Sequence, residues 1–239
     1  MGLLFYIRHG DPIYDPDSLT PLGLRQAEAV AKRLALYGLD EIYASSSNRA
    51  ILTSKPTCEI LKKEAKILDW CNEGHAWQEL VHIDENGRKD WLFAHPSIAR
   101  RLISNEFAAL GENWAEHPMF EGTNVKSGIE RIRRETYSFL AEHGYVFDSE
   151  KNLYKCEAPN NKRIALFAHQ GFGLAFLSTV LGIPYPMFST HFDMSHTGMT
   201  VIDFENHDGF CVPKILQMAN DSHLYKEGLP TKYQNSIYF

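Results

Sequence analysis

The chain has 239 residues, 44% of them hydrophobic, and a formal net charge of −6. That suffices for one large domain or a domain with an insertion, and the acidic balance argues against a nucleic-acid partner. No apolar run is long enough to span a bilayer, no basic n-region marks a signal peptide, and the cysteines (Cys58, Cys71, Cys156, Cys211) include no CxxC pair; a zinc site, a redox motif and a membrane are not expected, and a reducing cytoplasm is.

In chain order, Leu3-Leu4-Phe5-Tyr6-Ile7 is a short buried strand with Arg8-His9-Gly10 at its end. A polar loop, Asp11 to Leu19, leads to Thr20 as N-cap and Pro21 at the first helical position. Leu24, Ala27, Ala31 and Leu34 share the inner face of that helix, and Gly38 closes it. A second strand, Glu41 to Ala44, precedes the turn Ser45-Ser46-Ser47-Asn48 and a helix from near Arg49, which Pro56 should kink or interrupt. Ala65 to Trp70 reads as a third strand, followed by Asn72-Glu73-Gly74-His75. Residues 80–124 are irregular and read as an insertion, a lid over the core. The aromatic residues in or beside it, Trp77, Trp91, Phe93 and Trp114, are expected to set selectivity. A helix from Val125 to Gly144 carries Val125, Ile129, Ile132, Thr136 and Phe139 on one face. Arg163 to Ala168 is a buried strand followed by His169-Gln170-Gly171 and a helix of small residues ending at Gly182. Met199–Phe204 and Phe210–Leu216 read as a hairpin around His207-Asp208-Gly209.

This alternation of strands and helices predicts an α/β fold: a three-layer α/β/α sandwich with a mostly parallel central sheet. In such a sheet the strand ends share one edge, where Arg8, His9, Arg49 and His169 would make a cationic cup with Glu73 as its acid. An arginine presents a planar fork of donors to phosphate, and a histidine serves as nucleophile or proton carrier near neutral pH. Gly171-Phe172-Gly173 has the start of a dinucleotide fingerprint, but position 176 is Phe176, and no P-loop occurs. His191 and His196 are not read as metal ligands.

The pieces Arg8-His9-Gly10, Leu19-Thr20-Pro21-Leu22-Gly23 with Gln26-Ala27, Ser45 to Ala50 with Thr53, Asn72-Glu73-Gly74-His75, Ala168-His169-Gln170-Gly171 and Asn220 to Leu224 resemble the histidine phosphatase superfamily, in its phosphoglycerate mutase-like branch. The resemblance covers the core but not the insertion. It implies that His9 attacks phosphorus and becomes phosphohistidine. It implies that Arg8, Arg49 and His169 hold the phosphoryl oxygens, with Gly10, Thr20 and Gln170 completing the substrate-binding set. Glu73 would be the general acid, with Glu79, six residues on, as the alternative. No metal or cofactor is implied, and the partner is a small phosphorylated substrate. Asp11-Pro12 follows the Arg-His-Gly piece where an acidic residue and Ser or Thr are common, and Ile13-Tyr14-Asp15 replaces the Trp-Asn pair common in mutases. The expected activity is therefore phosphomonoester hydrolysis, with phosphoglycerate mutase-type transfer or a non-catalytic phosphate-binding module as rivals.

Overall fold

The computed structural model describes residues 2–158 and 160–233. Strand β1 (Leu3–Arg8) is buried from Leu4 onward, as a strand covered on both faces must be. Its side chains alternate: Leu4 and Tyr6 enter one hydrophobic core, Phe5 and Ile7 the other. A short ribbon of β2 (Pro12–Tyr14) and β3 (Asp17–Leu19) replaces the expected loop, pairing backbone groups that a loop would leave to water. Helix α1 (Pro21–Tyr37) has Thr20 as its N-cap and Gly38 at its end, as expected. Leu24 is exposed, against the expectation from spacing, because Gly23 is the residue that the first turn presses onto the loop after β1.

Strand β4 (Glu41–Ser45), helix α2 (Asn48–Leu61) and strand β5 (Ala65–Leu68) follow. Pro56 does not interrupt α2: the helix forgoes one internal hydrogen bond while Ala50, Thr53, Ser54 and Thr57 keep its inner face buried. β5 stops short of Trp70 because Asp69–Cys71 tightens into a 3-10 turn. Helix α3 (Glu73–Glu79) comes next, so Glu73 opens a helix rather than sitting in a loop.

The segment 80–124 holds a hairpin of β6 (Val81–Ile83) and β7 (Lys89–Trp91), helices α4 (Pro96–Leu102) and α5 (Asn105–Leu110), and 3-10 turns. Its Ile98, Leu102, Phe107, Trp114 and Phe120 join the same core cluster as β1. Helix α6 (Val125–Glu142) buries the face read from its spacing. A hairpin of β8 (Tyr145–Asp148) and β9 (Leu153–Cys156), not foreseen in the sequence, precedes strand β10 (Arg163–Ala168), helix α7 (Gln170–Leu181) and helix α8 (Tyr185–Ser189). The chain ends through β11 (Met199–Asp203), β12 (Phe210–Cys211), β13 (Lys214–Asn220) and α9 (Ser222–Lys226). The expected hairpin divides here. β11 pairs with β13, whereas β12 pairs with β9 in a separate sheet, because Pro213 has no N–H to continue the ladder.

The six-stranded sheet has the order β13-β11-β1-β10-β4-β5, with β11 antiparallel to both neighbours and β1, β10, β4 and β5 parallel. Side chains of α1 and α2 pack on one face, those of α6 and α7 on the other, giving the three-layer α/β/α sandwich. The register sets Arg8 opposite Ala168, Phe167 opposite Ala44 and Ser45 opposite Leu68, so four strand ends finish along one edge. Among the described residues no helix is long and apolar enough to cross a membrane.

Candidate active site

Because Arg8 faces Ala168 across parallel strands, the next residues, His9 and His169, stand side by side with ring centroids 5.2 Å apart. His9 Nδ1 lies 2.7 Å from the Gly10 carbonyl oxygen. A proton on Nδ1 donates to that oxygen, leaving Nε2 with its lone pair. Burial pushes His9 well below the usual histidine range, and His169, Arg8 and Arg49 push the same way, so the ring is neutral at neutral pH. Gly10 donates its N–H to Thr53 Oγ1 at 3.0 Å; a Cβ there would stand 2.6 Å from the Gly23 carbonyl oxygen. The glycine is what lets α1 close on this loop.

Arg8 is buried, and its guanidinium donates to the Met194 carbonyl. Burial lowers it to about 10, which still leaves it charged at neutral pH. Arg49, in the first turn of α2, donates from Nη1 to Asp17 Oδ1 at 2.9 Å, and its guanidinium lies 5.4 Å over the Tyr14 ring. Asp17 also accepts the Asn48 N–H at 2.8 Å, so the β2–β3 ribbon anchors the start of α2. His169 is fully buried; its Nε2 is 2.8 Å from Ser45 Oγ and its Nδ1 3.3 Å from Arg49 Nη2. The Tyr6 hydroxyl donates to the His169 carbonyl at 2.6 Å and accepts its N–H at 3.2 Å, fixing the backbone there. Burial, with Arg49 and Arg8, holds His169 well below its ordinary value.

Glu73 opens α3 behind its N-cap Asn72, whose Oδ1 accepts the Gly74 N–H at 2.9 Å. Glu73 Oε1 accepts the Phe172 N–H at 3.1 Å, and Oε2 lies 3.2 Å from His169 Nδ1. These contacts lock the first turn of α3 to the first turn of α7. Gly171 sits in the junction: a Cβ there would meet the Trp91 indole at 2.5 Å and Glu73 Oε1 at 2.7 Å. Glu79 takes a different course, accepting both Arg131 Nε and Nη2 at 2.8 and 2.7 Å.

A cavity of about 580 Å³ opens here, lined by Arg8, His9, Arg49, Glu73 and Gln170 and walled by Tyr14, Trp77 and Trp91. Glu79 does not line it. His169 lies one layer deeper. Gly10 supports the cavity without lining it, and Thr20 is not brought to it: its hydroxyl caps α1 at the Gly23 N–H and donates to Asp11 Oδ2 at 2.7 Å. Trp114 is not there either; it is fully buried and stacked on Tyr185, where it holds the segment 80–124 to α8. His9, Glu73 and His169 bring ligand-type atoms within 4.8 Å of one another, a spacing that a metal ion would also accept.

The family model of the histidine phosphatase superfamily (branch 1) matches residues 4–134. The chain belongs to this superfamily. A comparison of its sequence with curated proteins finds no match. Among solved structures, the chain is similar to a phosphoserine phosphatase from Entamoeba histolytica in complex with phosphoserine. The identity is 18%, the TM-score 0.58, and the match covers 94% of this chain and 100% of that one. It is also similar to a mycobacterial glucosyl-3-phosphoglycerate phosphatase with inorganic phosphate, at 17% identity and a TM-score of 0.60 over 93% and 99% of the two chains. These likenesses establish a shared fold.

Within this histidine phosphatase fold one neighbour of His9 escapes the sequence. His196 is buried, its ring 5.9 Å from that of His9 at an interplanar angle of 29°, with Nδ1 3.4 Å from Asp11 Oδ1. Burial, helped by Arg8 and Lys232, pushes it to about 2, so it is neutral. The signal was the antiparallel register of β11 on β1: Met199 faces Ile7, so residues just before 199 lie beside residues just after 7. Gln170 lines the cavity, and its Nε2 donates to the Asp193 carboxylate.

Proposed function

We propose that this chain hydrolyses a phosphomonoester of a small metabolite through a phosphohistidine at His9. The observation that carries the reading is the meeting, in one cavity, of a neutral buried histidine, two arginines and the Glu73 carboxylate, the other lining carboxylate, Asp17, being paired with Arg49. His9 Nε2 attacks phosphorus while the bond from phosphorus to the ester oxygen breaks. Glu73 gives its proton to the departing alkoxide, then takes one from the water that attacks the phosphohistidine, and the P–N bond breaks to return His9 and release phosphate. Arg8 and Arg49 hold the equatorial oxygens, whose charge their guanidinium groups neutralise, and His169 backs them through Arg49 Nη2. Two guanidinium groups around the His9, Glu73 and His169 cluster oppose a metal cation there, so the reaction is read as metal-independent. The segment 80–124 serves as a lid through Trp91, and the four free cysteines suit a reducing cytoplasm.

The similar structures support the class, since their own names are those of phosphatases of small phosphorylated molecules. The mutase reading is weaker because a second anionic group would need its own grip. Among the described residues that line the cavity, Arg8 and Arg49 are the only arginines or lysines. The test is phosphate release from p-nitrophenyl phosphate and 3-phosphoglycerate, with and without bisphosphoglycerate. Release that needs no bisphosphoglycerate is expected. Interconversion that depends on it, without free phosphate, would make the chain a mutase; no turnover and no phosphoenzyme would make it a binding module.

A further inference from the structure

We infer that the alcohol esterified to the phosphate carries a planar aromatic ring and no anion. This rests on the hydrolase reading above and names the substrate class for that same site. A second cavity, of about 540 Å³, adjoins the first, and Trp77, Trp91 and Gln170 line both. Phe93 and Phe192 line its remainder, together with Asp90, Asp193 and His191. Trp91 meets Trp77 edge-on at 5.0 Å and stacks on Phe93 at 5.8 Å and 17°, so aromatic surface is continuous from the reactive cavity into the adjoining one.

Charge decides against an anionic leaving group. In the first cavity the two guanidinium groups are assigned to the phosphoryl oxygens, and Arg49 is already paired with Asp17. No lysine or arginine among the described residues lines the second cavity, while two aspartates do. Lys89 lies over the Trp77 ring at 5.3 Å but lines neither cavity. A carboxylate or second phosphate on the leaving group would lose its water and meet two aspartates in this lining but no lysine or arginine, with His191, Ser189 and Thr190 as polar donors. A flat ring loses nothing there and gains offset or edge contacts with indole and phenyl.

Non-hydrolysable phosphonates separate this inference from the hydrolase reading, because binding is measured without turnover. Calorimetric Kd values would be compared for benzylphosphonate, n-butylphosphonate and 4-phosphonobutanoate. Benzylphosphonate should bind about tenfold more tightly than the butyl compound, from the ring contacts. The carboxylated compound should bind about tenfold more weakly than the butyl one, from its unpaired charge. Phe192→Ala, at a residue that lines the second cavity and not the first, should weaken benzylphosphonate about fivefold more than butylphosphonate. Equal Kd values for the three, preference for the carboxylate, no binding of any, or a Phe192→Ala loss shared equally would overturn the inference. Tight benzylphosphonate binding with no hydrolysis of benzyl or butyl phosphate would keep the aromatic site and sink the hydrolase reading instead.

Discussion

Replacing Gly171 by alanine adds one methyl group at a tight junction of the site. On the present backbone that carbon would stand 2.5 Å from Cη2 and Cζ2 of Trp91 and 2.7 Å from Oε1 of Glu73. Carbon atoms rest near ~3.5–4.0 Å, so the indole would have to retreat by about 1 Å. Helix α7 is buried from Gln170 to Val180 and gives little, and Trp91 is held between Trp77 and Phe93. Overpacking of this kind costs about 1–3 kcal/mol. The change from glycine to alanine in a helix returns about 1 kcal/mol, so the net loss of stability is about 0–2 kcal/mol. Activity responds more steeply, because displacing a positioned group by about 1 Å costs on the order of 10²-fold. The assay pairs kcat/KM for a phosphate ester with urea unfolding of the same variant. A loss near two orders of magnitude in a protein that remains folded is expected. Activity within a factor of about two of the parent would refute the argument that Glu73 and Trp91 depend on this gap.

Acid should unfold the protein early. His9, His143, His169, His196 and His223 are all buried and held below the ordinary histidine value chiefly by burial, His143 and His223 to about 4 and His196 to about 2. The unfolded chain takes these protons near pH 6.5 and the folded one does not, so stability falls as pH drops below that value, by about 1.4 kcal/mol per pH unit for each such histidine. Urea midpoints at pH 7.5 and 5.5 check this, a flat profile contradicts it, and His143→Phe should remove one histidine's share of the slope. Glu73→Gln should slow hydrolysis of an alkyl phosphate by about 10²–10⁴-fold. It should slow the phosphorylation burst with p-nitrophenyl phosphate much less; equal losses would remove Glu73 from the acid role. Exhaustive EDTA treatment should leave the rate nearly unchanged and vanadate should inhibit, whereas a large loss restored by magnesium or zinc would assign the His9, Glu73 and His169 cluster to a metal.

The layers and the reactive edge were legible because β1, β4 and β10 are short apolar runs that each stop at a polar cluster, and parallel strands bring such stops together. Arg8, His9, Arg49, Glu73 and Gln170 meet at the cavity for that reason, with His169 directly behind. Thr20 was legible as a helix cap, and its hydroxyl is consumed in that task. What the sequence hid depends on register and tertiary pairing. His196 reaches His9 only through the antiparallel pairing of β11 on β1. Glu79 and Glu73 look alike in sequence, and the partner Arg131, which separates them, lies on α6, 52 residues further on. Phe210 and Cys211 read as the return strand of a hairpin, yet they pair with β9, an element of four residues that is too short to announce itself. Trp91 and Trp114 share one irregular segment, and only packing sends one to the cavity and the other into the core.

The most direct test of the account is the identity of the phosphorylated residue. The protein is mixed with phosphate-labelled ester, quenched in alkali within the burst, digested and mapped. The expected result is label on the peptide carrying His9, stable in base and lost in acid, and absent from His9→Ala. Label on a serine, an aspartate or another histidine, or hydrolysis that proceeds unchanged in His9→Ala, would contradict it.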